Sequence, residues 1–245
     1  MRHRFLLSMI GFLVMTLLLV CQSAAAEFSV AVKNLTNGSY FTPLLITAHD
    51  ARTHLFETGE AASASLRAMA EGGNIAGLAA MVGGADADTI ENPAGGLLGP
   101  GESVSNVFLD TDRTRNRFLS IVAMILPTND GFVGLDALRI PIFPGTYKYF
   151  LVGYDAGTEA NDERITGGGL PGQAGIPDAP GGDGGFDGTG VTAAETNTAV
   201  HVHRGILGDD DPAGGKSDLN RTIHRWLNPV AEVTIKVHHR RYGGR

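Results

Sequence analysis

Two short acidic segments hold the residues whose types and spacing could do chemistry. They are Asn129-Asp130-Gly131-Phe132-Val133-Gly134 and Tyr154-Asp155-Ala156-Gly157-Thr158-Glu159, and each closes an apolar run of strand character. Carboxylates delivered to one end of neighbouring strands can converge on a hard cation. Calcium takes about six to eight oxygen ligands from carboxylates, backbone carbonyls and water. Asp130, Asp155 and Glu159 are therefore candidate calcium ligands, with Gly131, Gly134 and Gly157 letting the backbone turn tightly enough to present carbonyls. The same residues also admit a reading without metal, in which Asp130 caps a turn and Asp155 closes an Asx-turn.

A second constellation is His201-Val202-His203, which on a strand puts two imidazoles on one face. With His224 or His238-His239 it offers nitrogen ligands to zinc or copper, and it supports the alternative of a periplasmic transition-metal protein or metalloenzyme. Surface histidines without metal are the commoner case. The run Gly181-Gly182-Asp183-Gly184-Gly185-Phe186-Asp187-Gly188 is one unrepeated glycine-aspartate unit and reads as a loop, because a single copy cannot stack. Asp209-Asp210-Asp211 reads as a solvated turn, and Trp226 as core or edge packing. Nucleophilic catalysis has no foothold: there is no G-x-S-x-G elbow, P-loop or dinucleotide fingerprint, and Cys21 lies in the leader, so the chain is expected not to be an enzyme.

Around these motifs the chain is built as an exported β protein. Residues 1–26 carry Arg2 and Arg4, an apolar run from Phe5 to Val20, and Ser23-Ala24-Ala25-Ala26, the pattern of a secretory signal peptide cut after Ala26. Leu18-Leu19-Val20 before Cys21 offers a lipid-anchored alternative. Cleavage leaves residues 27–245 as one domain without cysteine, destined for the periplasm or the exterior and without a membrane span. Removing Arg2 and Arg4 takes the formal charge from −7 to −9, which makes nucleic acid a poor partner. The 34 glycines among few charges fit a loop-rich β fold.

Period-two alternation marks strands at Phe28 to Leu35, Glu102 to Leu109 and Ala231 to Val237. Phe41 to Thr47, Arg117 to Leu126 and Thr146 to Tyr154 are further strands, Pro43 placing its own at an edge or a start. The alanine-rich stretch predicts helices over Glu60 to Glu71 and Ile75 to Met81, with Gly72-Gly73 as a stop. Residues 165–190 predict a long glycine-rich excursion.

The run MILPTNDGFVGLDAL followed by YDAGTE resembles the spondin N-terminal domain shared by F-spondin, mindin and bacterial secreted proteins. GESVSNVF, VHVHRGI and RTIHRWLNPVAEVTI extend the likeness from Phe28 to about Val237. The resemblance implies a C2-like antiparallel β-sandwich with short helical insertions and calcium held by loop carboxylates at one end. Carried over, its ligands fall on Asp130, Asp155 and Glu159. Gly131 stands where the animal proteins have tryptophan, and Glu159 where they have aspartate. The function it implies is non-catalytic adhesion or binding, toward an extracellular protein or glycan that the sequence does not name.

Overall fold

The computed structural model describes residues 27–84, 87–111 and 114–238. The signal-peptide reading and His239 fall outside these residues. Ten strands occur among the described residues: β1 (Phe28–Asn34), β2 (Tyr40–Phe41), β3 (Leu45–His49), β4 (Asp88–Glu91), β5 (Ser103–Leu109), β6 (Phe118–Leu126), β7 (Gly131–Arg139), β8 (Gly145–Asp155), β9 (His201–Val202) and β10 (Ala231–Val237). Two helices, α1 (Ala64–Gly72) and α2 (Ala76–Gly83), lie between β3 and β4. The protein is mainly β, and every pairing between these strands is antiparallel. Among the described residues no helix is long and apolar enough to cross a membrane.

The strands form one continuous sheet in the order β4-β3-β6-β7-β8-β10-β1-β5, with β2 against β6 and β9 against β8. The two layers of the fold meet in β8. Its first part, Gly145 to Leu151, pairs with β10, whereas Val152 to Asp155 pairs with β7. At the far side β4 and β5 come together, and the Asp110 backbone amide donates to Asp88 Oδ2, so the sheet nearly closes into a flattened barrel.

Alternation explains what fills the interior. Val30 and Val32 of β1 stand opposite Ile235 and Val233 of β10, and all four point inward toward Leu119, Ile121, Ala123 and Ile125 of β6. The intervening β6 residues, Val122, Met124 and Leu126, face outward yet are equally covered, because α1 and α2 lie over them. Burial on both faces is the reason β6 reads as an unbroken apolar run rather than an alternating one.

Helix α1 begins at Ala64, later than Glu60, because Ser63 caps it: Leu66 N donates to Ser63 Oγ at 3.1 Å. It ends at Gly73, whose φ of 70° admits the left-handed turn that returns its amide to Met69 O. Leu66, Met69 and Ala70 press onto the sheet, joined by Leu78 and Val82 of α2. The strand expected over Phe41 to Thr47 is split at Thr42-Pro43-Leu44 into β2 and β3. Residues 165–190 contain no helix or named strand, yet Ile176 is fully buried within them.

Candidate functional site

The turn between β6 and β7 is organised by Thr128, whose hydroxyl donates to Ile125 O at 2.6 Å and accepts from Gly131 N at 2.9 Å. Gly131 to Gly134, expected as part of an acidic loop, instead open β7. A Cβ on Gly131 would lie 2.7 Å from Thr128 Oγ1, so this turn excludes any larger residue there without rearrangement. Asp130 is thereby placed one residue before the ladder, with Gly131 directly opposite Asp155.

Asp130 is fully buried. Its Oδ2 accepts from Thr158 N at 2.7 Å, Glu159 N at 3.1 Å and Thr158 Oγ1 at 3.2 Å. Its Oδ1 is buried with no hydrogen-bond partner. Burial, with the Asp155 charge second, pushes the Asp130 carboxyl up to about 7.

Asp155 ends β8, and burial raises its pKa as well. Its Oδ1 accepts from Gly157 N at 2.8 Å, the Asx-turn that the sequence allowed. Its Oδ2 accepts from Asn161 Nδ2 at 2.6 Å. Gly157 has φ 69°, and a Cβ there would meet Asn197 O at 2.7 Å, so this turn requires glycine on two counts.

Glu159 lends its backbone amide to Asp130 but turns its side chain elsewhere. Its Oε2 accepts from Gly175 N at 3.0 Å and, more distantly, from Asn129 Nδ2 at 3.4 Å, while Oε1 is buried without a partner. Burial pushes this carboxyl up to about 7, with the Glu71 and Asp162 charges adding to the effect. The two carboxylates that act on each other are thus those of Asp130 and Asp155, with Glu159 in an adjoining acidic cluster.

Asn129 was not singled out from the sequence, yet it clamps the region. Its Nδ2 donates to Asp162 Oδ1 at 2.9 Å and its Oδ1 accepts from Glu163 N at 3.2 Å. Asn161 and Thr158 were likewise missed. The Asn-Asp-Gly and Asp-x-Gly-Thr strings advertise side-chain-to-backbone bonding, but the partners depend on how the two loops meet.

The histidine pair is divided. His201 Nδ1 bonds to Ala199 O at 2.8 Å, and its Nε2 stands 3.7 Å from Asp155 Oδ2. His203 is buried, accepts from Gly205 N at Nδ1 and packs 5.1 Å from the Trp226 ring, and burial drives its pKa down to about 3. Trp226 belongs to the core, above Gly153, where a Cβ would meet its ring at 2.6 Å. Among the described residues no three His, Cys, Asp or Glu side chains are gathered as a ready metal cluster. Asp209 accepts from Lys216 N and Ser217 N through Oδ2 and from Asp211 N through Oδ1, so the aspartate triplet is a structured turn.

The donor set at the Asp130–Asp155 corner suits a hard cation better than a soft one. Its carboxylate oxygens, one of them buried and unsatisfied, face one nitrogen, His201 Nε2 at 3.7 Å from Asp155 Oδ2, and among the described residues no lysine or arginine is hydrogen-bonded to either acid. No curated protein matches the chain. The Spondin_N family model matches residues 32–163, from β1 through the second acidic loop, leaving the VHVHRGI and RTIHRWLNPVAEVTI segments outside the match. Over half of the 245 residues are covered and both acidic loops lie within the match, so the chain belongs to the spondin N-terminal domain family.

Proposed function

We propose that this protein is a secreted, non-catalytic binding or adhesion module of the spondin type whose acidic corner takes calcium. The observation that carries the reading is the pair of buried carboxylates, Asp130 and Asp155, with Asp130 Oδ1 lacking any partner. Asp130 and Asp155 would hold the ion, completed by carbonyls of the two loops and by water. Glu159 would reach it only by turning away from Gly175.

When bound, calcium supplies fixed positive charge that offsets the repulsion of the paired acids. The residues themselves do the rest. Asp130 ties the loop after β8 to the β6–β7 turn, Gly157 lets that loop fold back, and Asn161 keeps Asp155 oriented. An ordered loop surface at one end of the sheet is what a recognition module presents to an extracellular protein or glycan.

Thermal unfolding of the purified chain in chelator and in calcium tests this. Calcium at about a hundred times its Kd should stabilise the fold by about 2.7 kcal/mol. A transition unmoved by calcium, or Asp130→Asn and Asp155→Asn variants that respond like wild type, would sink the assignment.

A further inference from the structure

The hairpin of β7 and β8 is zipped only at its base. Its ladder runs from Gly131 opposite Asp155 to Gly134 opposite Val152, after which β7 stays with β6 and β8 crosses to β10. Where the strands part, an open notch of about 470 Å³ is lined by Gly134 and Asp136 of β7, Phe150 and Tyr154 of β8, and His54 and Glu57 from the segment after β3. Gly134 keeps it open, since a Cβ there would come within 2.7 Å of the Phe56 ring and 3.0 Å of the Tyr154 ring.

Asp136 is held from several sides. Its Oδ1 accepts from Leu55 N at 2.8 Å and from Ser120 Oγ at 3.3 Å, and its Oδ2 bonds His54 Nδ1 at 2.6 Å. Ser120 is fixed in turn by the buried His49 at 2.7 Å and by Ala137 N at 2.8 Å. Ala137 itself takes φ 47°, a conformation a non-glycine residue adopts only when its surroundings demand it. His54 offsets the charge of Asp136 when its ring is protonated, and the exposed Glu57 adds a second acid beside them. Among the described residues neither lysine nor arginine lines the notch. Beside these acids Phe150 is 61% exposed, a large apolar ring largely open to solvent, and the Tyr154 ring lies 4.9 Å from that of Phe56.

Carboxylates and open aromatic faces at one mouth are the chemistry that receives an organic cation, through ion pairing on one side and attraction to the ring quadrupole on the other. We propose that the notch between β7 and β8 binds an alkylammonium or guanidinium head, paired with Glu57, backed by Asp136 and covered by Phe150. The site shares two strands with Asp130 and Asp155 but uses neither side chain. Such a head belongs equally to a lysine or arginine side chain of another protein and to a free polyamine.

Calorimetric titration of the full chain with acetyl-lysine methylamide, acetyl-arginine methylamide and putrescine tests the proposal, with acetyl-norleucine methylamide as the uncharged control. Saturable binding of at least one cation is expected, none of the control, and at least about tenfold weaker binding in Glu57→Gln and in Phe150→Ser. Both substitutions fall on exposed side chains, so the fold is retained. Binding of the amino-acid amides alone identifies a protein side chain as the source, and binding of putrescine alone a polyamine. Absence of saturable cation binding, equal binding of the norleucine compound, or wild-type affinity in Glu57→Gln overturns it.

Discussion

Asp155 stands across the β7–β8 ladder from Gly131, the residue after Asp130, and its charge is the second largest reason that the Asp130 carboxyl is pushed up to about 7. Two buried acids in that relation cannot both ionise at low cost without a counter-charge. Their protonation is therefore linked to folding, and the binding of the proposed cation would be linked to it as well.

The sign of that link is set by the direction of the shifts. Asp130 and Glu159 have ordinary values of 3.8 and 4.5 and are raised to about 7 in the folded chain. The native state thus holds these protons more tightly than the unfolded one. The stability they contribute is complete below the unfolded values and is lost as pH climbs through about 7. Urea unfolding in chelator should give a more stable protein at about pH 5 than at about pH 8. Calcium should restore the deficit at the higher pH, because it favours the ionised acids. Stability that rises with pH in chelator would contradict this linkage.

Asp130→Asn should separate two roles of one side chain. The amide oxygen can still accept from Thr158 N and Glu159 N, so the loop stays attached. The repulsion with Asp155 is gone. Melting in chelator at about pH 8 should therefore rise or stay level relative to wild type, while the calcium response is lost. A variant that unfolds in chelator would assign the ionised carboxylate a structural role of its own.

Gly157→Ala should loosen the second acidic loop. It forces a side chain onto φ 69° and drives a Cβ toward Asn197 O. The expected cost is about 1–3 kcal/mol in urea unfolding, with a weakened calcium response. A cost near zero would mean that the loop can be rebuilt without the left-handed turn.

The aromatic cluster of Phe56, Phe132 and Tyr154 should contribute more to stability than the loop glycine does. Phe132 is fully buried, 5.0 Å from the Phe56 ring in an edge contact and 5.5 Å from Tyr154 in a stack. Phe132→Ala should cost about 3–5 kcal/mol, and Phe132→Leu much less. Equal costs for the two would argue against ring packing as the source.

Two arginine–acid pairs should behave differently. Arg67 Nε holds the fully buried Glu71 at 2.6 Å, whose other oxygen accepts from Gly172 N at 2.8 Å. Arg67→Met strands that carboxylate and should destabilise by about 1–3 kcal/mol. Arg52, on the surface with Asp50 at 2.7 Å, should be replaceable by alanine within the error of the measurement. Comparable losses at the two positions would refute the distinction by burial.

Alternation made β1, β5 and β10 legible, because each has one face inside and one face outside or lightly covered. The β7 strand escaped notice for a local reason: Gly131 and Gly134 look like turn residues, yet they are there for space beside Thr128 and Phe56. The two-residue strands β2 and β9 are too short to carry a period. Asp130 and Asp155 could be chosen from the sequence because acids beyond apolar runs end up at strand ends. The direction of the Glu159 side chain could not, since it depends on Gly175 returning from a distant excursion. The separation of His201 from His203 was equally hidden, because Trp226 takes one ring into the core and Asp155 faces the other.

The continuity of β8 bears on how the molecule would carry a load. One strand of eleven residues is hydrogen-bonded first to one layer and then to the other. The layers are therefore joined through the covalent backbone between Leu151 and Val152, and neither can leave the other without stripping one of the two β8 ladders. A pull between them would pass through that backbone, and the acidic corner at Asp155 closes the short ladder to β7 that would resist it.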